Sequence, residues 1–260
     1  MIDLAHELVP FALTTTLSFS RVAGFVVTSP FPGRQVAATQ RVGLALVVAW
    51  VAGMIVPAPT WAPGLDARTV GAAVSELAVG LTLGAAFRVV FSGAEVLSQN
   101  IAQASGLAAP SVFNPTLETQ ESAIGEAITL FAMLVALSMG AHRVALGWLL
   151  ESFRALPVGA TAHFDATTGA FVDLAAAALT VGLRLALPVV AVALATQVAL
   201  AMIARAAPAL QLFNIGLAVL IAAGATVLMA SLGDVTVGLG GHFATLSPSL
   251  DRVLSELAAP

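Results

Sequence analysis

Arg21, Glu76, Arg88, Glu126, Asp173 and Arg184 fall inside or at the edges of long apolar runs. An ionised side chain at the centre of a membrane helix costs about 3 kcal/mol on insertion scales, so each of these residues needs an opposite charge, a polar partner or water. Asp173 and Arg184 are close to three helical turns apart and share a face, yet are too distant to touch directly. Glu76 and Arg88 diverge by about a third of a turn. Arg88, Glu126 and Asp173 can extend along their helices to a polar interface. Glu76 and Arg184 are the two expected to be buried charges, paired inside an assembly.

Other chemistry finds little support. His6, His142, His163 and His242 are scattered without metal-ligand spacing, so no metal site is assigned. There is no His-Glu-x-x-His and no Gly-x-Ser-x-Gly, and Asp234 in "SLGDV" is too little for an intramembrane aspartyl protease. Cysteine, lysine and tyrosine are absent, which removes thiolate chemistry, the P-loop lysine and Schiff-base lysines. No catalytic residue and no cofactor is expected, and the chain reads as a non-enzyme. A net charge of -4 with no basic patch makes nucleic acid an unsuitable partner.

The elements that must hold these charges are membrane helices. Hydrophobic residues make up 59% of the chain and charged residues only 9%, against roughly 25% in soluble domains. The expected fold is an all-α integral membrane protein, a single membrane-embedded domain over residues 1–260. Apolar runs cover Leu8 to Val27, Val42 to Val56, Val70 to Phe91, Ala123 to Met139, Phe171 to Ile203 and Leu210 to Leu232. Each is predicted helical, because lipid offers no partner for backbone donors and acceptors. The second is short for a span, and Pro188 is expected to kink the fifth by removing a ladder bond. Asp3 and Glu7 stand where a secretory signal would be positive, so the N-terminus is expected to be retained. Arginine counts do not orient the chain: Arg34, Arg41 and Arg205 fall in odd-numbered connections, Arg68, Arg143 and Arg154 in even ones.

A polar stretch interrupts this pattern. Residues 92–122 contain no arginine, three glutamates and many Ser, Gln, Asn, Gly and Pro residues. "EVLSQNIAQASGLA" reads as a weakly amphipathic helix, and the prolines and asparagine of "PSVFNPT" break it. Non-helical backbone near membrane depth is tolerated where it lines water or is buried in protein, which suits a re-entrant, pore-facing loop; an ordinary extramembrane loop is the alternative.

These residues carry a resemblance to the FliR family, components of the flagellar type III export gate with injectisome counterparts. "GLAAPSVFNP" resembles the family's central loop. "AHRVALGWLLESFRALPVG" is similar to its segment ending in Ser, aromatic and Leu-Pro-x-Gly, carried by Ser152, Phe153, Leu156, Pro157 and Gly159. "RAAPALQLFNIG" resembles its Arg-x-x-Pro-x-x-x-x-Phe-x-x-Gly signature through Arg205, Pro208, Phe213, Asn214 and Gly216, and an N-terminal pattern matches through Arg21, Pro30, Arg34 and Arg41. Gly216 is followed by "LAVLI" where the family has an aromatic and a proline, and the end after Asp234 is short.

The resemblance implies helical hairpins packed into a multi-subunit spiral export gate in the bacterial inner membrane, at the flagellar basal body. It implies FliP-, FliQ-, FlhB- and FlhA-type partners and unfolded flagellar proteins as substrates. Some helices would then sit above the usual bilayer plane. It also implies a pore plug at Ser105 to Pro115, including Gly106, Leu107, Pro110, Phe113 and Asn114, and structural roles for Arg205, Pro208 and Asn214. The injectisome counterpart is the alternative; its loop often carries Asn-Gln-Arg-Gly, whereas "SQNIAQASG" lacks that arginine. A secondary transporter with a Pro188-broken helix is a further alternative.

Overall fold

The computed structural model describes residues 2–31, 36–57, 59, 66–104, 123–206 and 212–258. Among these residues there are eight α-helices and one short 3-10 turn, and no strand. The helices are α1 (Ile2–Thr28), α2 (Ala38–Ile55), α3 (Ala67–Ala104), α4 (Ala123–Ser138), α5 (Ala141–Ala155), α6 (Thr168–Ala206), α7 (Leu212–Ala244) and α8 (Leu246–Ala258). Five described segments are long and apolar enough to cross a membrane, and α4 taken together with α5 makes a sixth. The chain is an all-α, multi-pass membrane protein.

Several boundaries differ from the sequence reading. The stretch 92–104, which composition groups with the polar segment, continues α3 to Ala104. Its Ser, Gln and Asn residues do not end the helix, because Leu97, Ile101 and Ala102 keep one face apolar and buried. The last long helix runs on past Leu232 to Ala244, and α6 continues through Pro188 as one helix. Two helices, α5 and α8, lie outside the apolar runs; in α8 Leu246, Leu250, Val253, Leu254 and Leu257 recur at helical spacing and are all buried.

Contacts group the chain into two compact units. The first comprises Met1–Val90, Gly140–Ala175 and Thr245–Pro260; the second comprises Phe91–Met139 and Ala176–Ala244. In the first unit α2 lays Ala45, Ala49, Ala52 and Gly53 against α1, where a side chain on Gly53 would strike Thr15. Phe11 and Trp50 meet edge to face at 5.3 Å. On its other side α1 crosses the first part of α3 through Gly24, Gly80 and Gly84. A Cβ on Gly24 would collide with the Leu77 carbonyl, one on Gly80 with the Arg21 carbonyl, and one on Gly84 with Thr28 and the Phe25 carbonyl. Phe87 caps this crossing between Phe25 and Phe31. Small residues bring helix backbones close where burying apolar surface in lipid gains little.

In the same unit α8 packs on α5 and the 3-10 turn. The Leu257 carbonyl accepts a hydrogen bond from the His163 amide at 3.1 Å, and exposed Arg252 donates to Asp173 and Glu256. In the second unit Gly182 of α6 approaches the Gly93 carbonyl and Val96 of α3, and Gly238 of α7 approaches Leu185 of α6. Phe91 and Phe243 stack at 4.9 Å, and an apolar cavity of about 290 Å³ opens between residues of α3, α4 and α7, including Ile101, Phe131 and Leu228.

Replacing Gly80 by Ala should destabilise the protein by about 1–3 kcal/mol, the usual cost of overpacking a tight contact. Gly71→Ala, at a position with nothing within 4 Å, should instead stabilise by up to about 1 kcal/mol through helix propensity. Thermal unfolding in detergent of the two variants beside the parent checks both signs.

Candidate functional site: a buried arginine node

Arg21 lies on the side of α1 that faces α3 and is fully buried, as is Glu76 at 2% exposure. The Arg21 Nε–H donates to Glu76 Oε2 at 2.5 Å, forming an ion pair between α1 and α3. Its Nη1 donates to the Ser152 carbonyl at 2.9 Å and to Ser152 Oγ at 3.3 Å, and its Nη2 donates to the Leu156 carbonyl at 2.9 Å. The guanidinium lies over the ring of Phe153, 4.3 Å from its centre. The other carboxylate oxygen, Glu76 Oε1, accepts the backbone N–H of Gly159 at 2.8 Å.

Local structure explains why α5 presents those acceptors. The last carbonyls of a helix have no partner in the ladder, and its C-terminus carries partial negative charge. The Leu156 carbonyl lies at this end, where a cation is favoured, and the Ser152 carbonyl, which already accepts the Leu156 N–H at 2.9 Å, takes Arg21 as a second donor. The Ser152 hydroxyl donates to the Leu149 carbonyl at 2.6 Å, which leaves its lone pairs toward Arg21. After the helix, Ala160 N–H closes a turn onto the Pro157 carbonyl with Gly159 at φ 79°, a conformation that disfavours other residue types. That turn aims the Gly159 amide at Glu76.

The node brings together Arg21, Glu76, Ser152, Phe153, Leu156 and Gly159, and uses both carboxylate oxygens and all three guanidinium nitrogens. Its geometry pins three helices together. Glu76 and Arg184 part company here: Glu76 finds Arg21 within the chain, whereas Arg184 is exposed on α6 and is not a buried charge of this chain. Asp173, exposed, pairs with Arg252 at 2.6 Å; Arg88 and Glu126 are also exposed.

The remaining motif residues are dispersed. Pro30 is half-buried just beyond α1, Arg41 sits in the first turn of α2, and Arg205 is exposed in the last turn of α6. Pro157 is exposed in the turn that carries Gly159. Phe213 and Asn214 belong to the start of α7, their side chains outside the description, and Gly216 is buried there against Leu200. Arg34, Pro208 and the plug residues Ser105, Gly106, Leu107, Pro110, Phe113, Asn114 and Pro115 lie outside the described residues. Among the described residues no group of three or more His, Asp or Glu side chains is placed to hold a metal. The Arg21–Glu76 pairing was not read from the sequence. A usable signal was present: Gly24 follows Arg21 by one turn and Gly80 follows Glu76 by one turn, which marks both charges as neighbours of a close crossing.

Arg21→Ala or Glu76→Ala should each cost about 3–5 kcal/mol, since either leaves an uncompensated buried charge. The double variant Arg21→Met/Glu76→Leu should lose clearly less than the sum of Arg21→Met and Glu76→Leu measured singly, which the double-mutant cycle of these variants in detergent would register as unfolding free energies.

Residues 12–246 match the family described as bacterial export proteins, family 1, a range that contains the whole node and ends at the first residue of α8. The chain is 26% identical over 251 residues to the flagellar biosynthetic protein FliR of Aquifex aeolicus (strain VF5), covering 96% of this chain and 97% of that protein. It is 28% identical over 245 residues to FliR of Bacillus subtilis (strain 168), covering 92% and 93%, and 26% identical over 242 residues to FliR of Escherichia coli (strain K12), covering 91% of each. The FliR-like motifs of the sequence, the helical membrane fold and this near full-length match agree, and the chain belongs to the bacterial export proteins, family 1.

Proposed function

We propose that this chain is a subunit of the flagellar type III protein export gate, assembling with FliP- and FliQ-type partners into a channel that carries unfolded proteins across the bacterial inner membrane at the flagellar basal body. FlhB- and FlhA-type components would adjoin the same assembly. The carrying observation is the match to bacterial export proteins, family 1, over residues 12–246, joined to relatives named as flagellar. The helices support the reading. α6 has 39 residues, about 58 Å of helix, where about 30 Å of hydrocarbon must be crossed. Its outward side keeps Leu179, Leu187, Leu194 and Val198 at half exposure or more. A helix that is apolar along a length well beyond the bilayer needs protein cover for the excess.

Within this proposal the polar segment at residues 105–115 closes the resting pore, its small and uncharged side chains letting an extended chain slip by without binding it. The export energy comes from elsewhere, because the sequence has no nucleotide-binding motif.

Co-expression of the tagged chain with FliP- and FliQ-type proteins of the same organism should yield a stable hetero-oligomer; a chain that purifies alone or only as a homo-oligomer contradicts the export-gate reading. In planar bilayers, the assembled complex lacking residues 104–114 should pass ions continuously where the intact complex is tight. Equal conductance of the two, with assembly preserved, removes the plug assignment.

A further inference from the structure

Arg184 is exposed on α6, flanked by the charge-free stretches 174–183 and 185–204. Among the described residues it makes no ion pair and no side-chain hydrogen bond. This is the opposite of Arg21, whose guanidinium is fully engaged inside the chain. A free guanidinium in an apolar helix is costly unless an anion or water meets it.

Two further features sit on the same residue. Pro188 has no N–H to give to the carbonyl four residues before it, which is that of Arg184. Arg184 therefore offers an unpaired cation and a backbone acceptor without its ladder donor. The helical line through it is also small: Ala177, Thr180, Pro188, Ala191 and Ala195 all fall within about 40° of Arg184 on the helix and are all exposed. Leu179, Leu183, Leu187 and Leu194 are exposed to one side of that line. A lipid-facing arginine has no use for a slot of small residues, whereas a neighbouring helix does, since such a slot lets two backbones approach.

We infer that Arg184 is the docking charge of α6: it receives an aspartate or glutamate from a membrane helix of a different subunit, which lies along the Ala177–Ala195 slot. The inference rests on the export-gate reading and names the contact chemistry of one partner. The charge itself selects the occupant, because an apolar helix without an acid would leave the guanidinium desolvated and unpaired. A second copy of this chain is the competing occupant, since Asp234 of α7 is exposed and makes no ion pair among the described residues. Anionic lipid is another.

The test is partner recovery in the co-expressed complex, with FliP- and FliQ-type proteins as the probes. Arg184→Glu should lower it roughly 30-fold, the lower end for removing one member of a desolvated charge pair. The unfolding temperature of the isolated chain should stay unchanged, because Arg184 bonds to nothing inside it. Exchanging the partners' membrane carboxylates for Arg one at a time should reveal one position that restores recovery with Arg184→Glu. A photoreactive residue at position 191, with Arg184 intact, should capture that same partner helix. Undiminished recovery with Arg184→Glu overturns the inference, as does capture of lipid alone from position 191. Rescue by Asp234→Arg in a second copy also overturns it. Failure of the wild-type chain to retain any partner sinks the export-gate reading itself; retention by wild type and Arg184→Glu alike sinks this inference alone.

Discussion

Placing a guanidinium and a carboxylate where water cannot reach them is tolerable only if every polar atom of both finds a partner, because the mutual attraction of the charges by itself does not offset their desolvation. Arg21 and Glu76 meet that condition by drawing on backbone. The carboxylate takes one amide from the turn after α5, and the guanidinium takes two carbonyls from the end of α5. Three segments far apart in sequence are thereby held in one register. Sliding any of them by a residue would strand a charge. Apolar contacts between membrane helices penalise such a slip far less, since one lipid-like surface resembles another.

Glycines surround the node. The ion pair joins α1 to α3 beside their closest approach, and Gly24, Gly80 and Gly84 line the crossing where a Cβ would strike the opposing chain. The second unit uses this device at Gly93, Gly182 and Gly238 without an ion pair among its described residues. Packing there relies on close backbone approach, with polar contacts between Ser98 and Thr129 at 3.3 Å and from Gln197 Nε2 to the Ala104 carbonyl at 3.4 Å.

Polar edges are treated differently. Arg252 with Asp173 and Glu256, and Arg154 with Glu151, are exposed pairs that water screens, and such pairs contribute little individually. What holds α8 in place is its leucine face, all of it buried. Charge thus acts in two ways in one chain: as a desolvated pin at Arg21 and as solvated surface at the ends. Arg184 fits neither pattern within the chain.

Hydropathy by itself located six of the eight described helices, α1 to α4, α6 and α7, because a backbone in lipid has no alternative to the helix and the apolar runs mark where lipid or protein must surround it. The resemblance to the FliR family singled out Ser152, Phe153, Leu156, Pro157 and Gly159 as a group, and the cost of a membrane charge singled out Glu76 and Arg184. Which charge would be satisfied within the chain was decided only by tertiary structure. Arg21 and Glu76 are 55 residues apart, and their meeting depends on where two glycine-lined helices cross, a through-space quantity that no periodicity along the chain encodes. The end of α7 lies beyond Leu232 for a related reason: the following turns stay helical because neighbours bury Val235, Leu239 and Phe243, and burial is a property of the packed molecule.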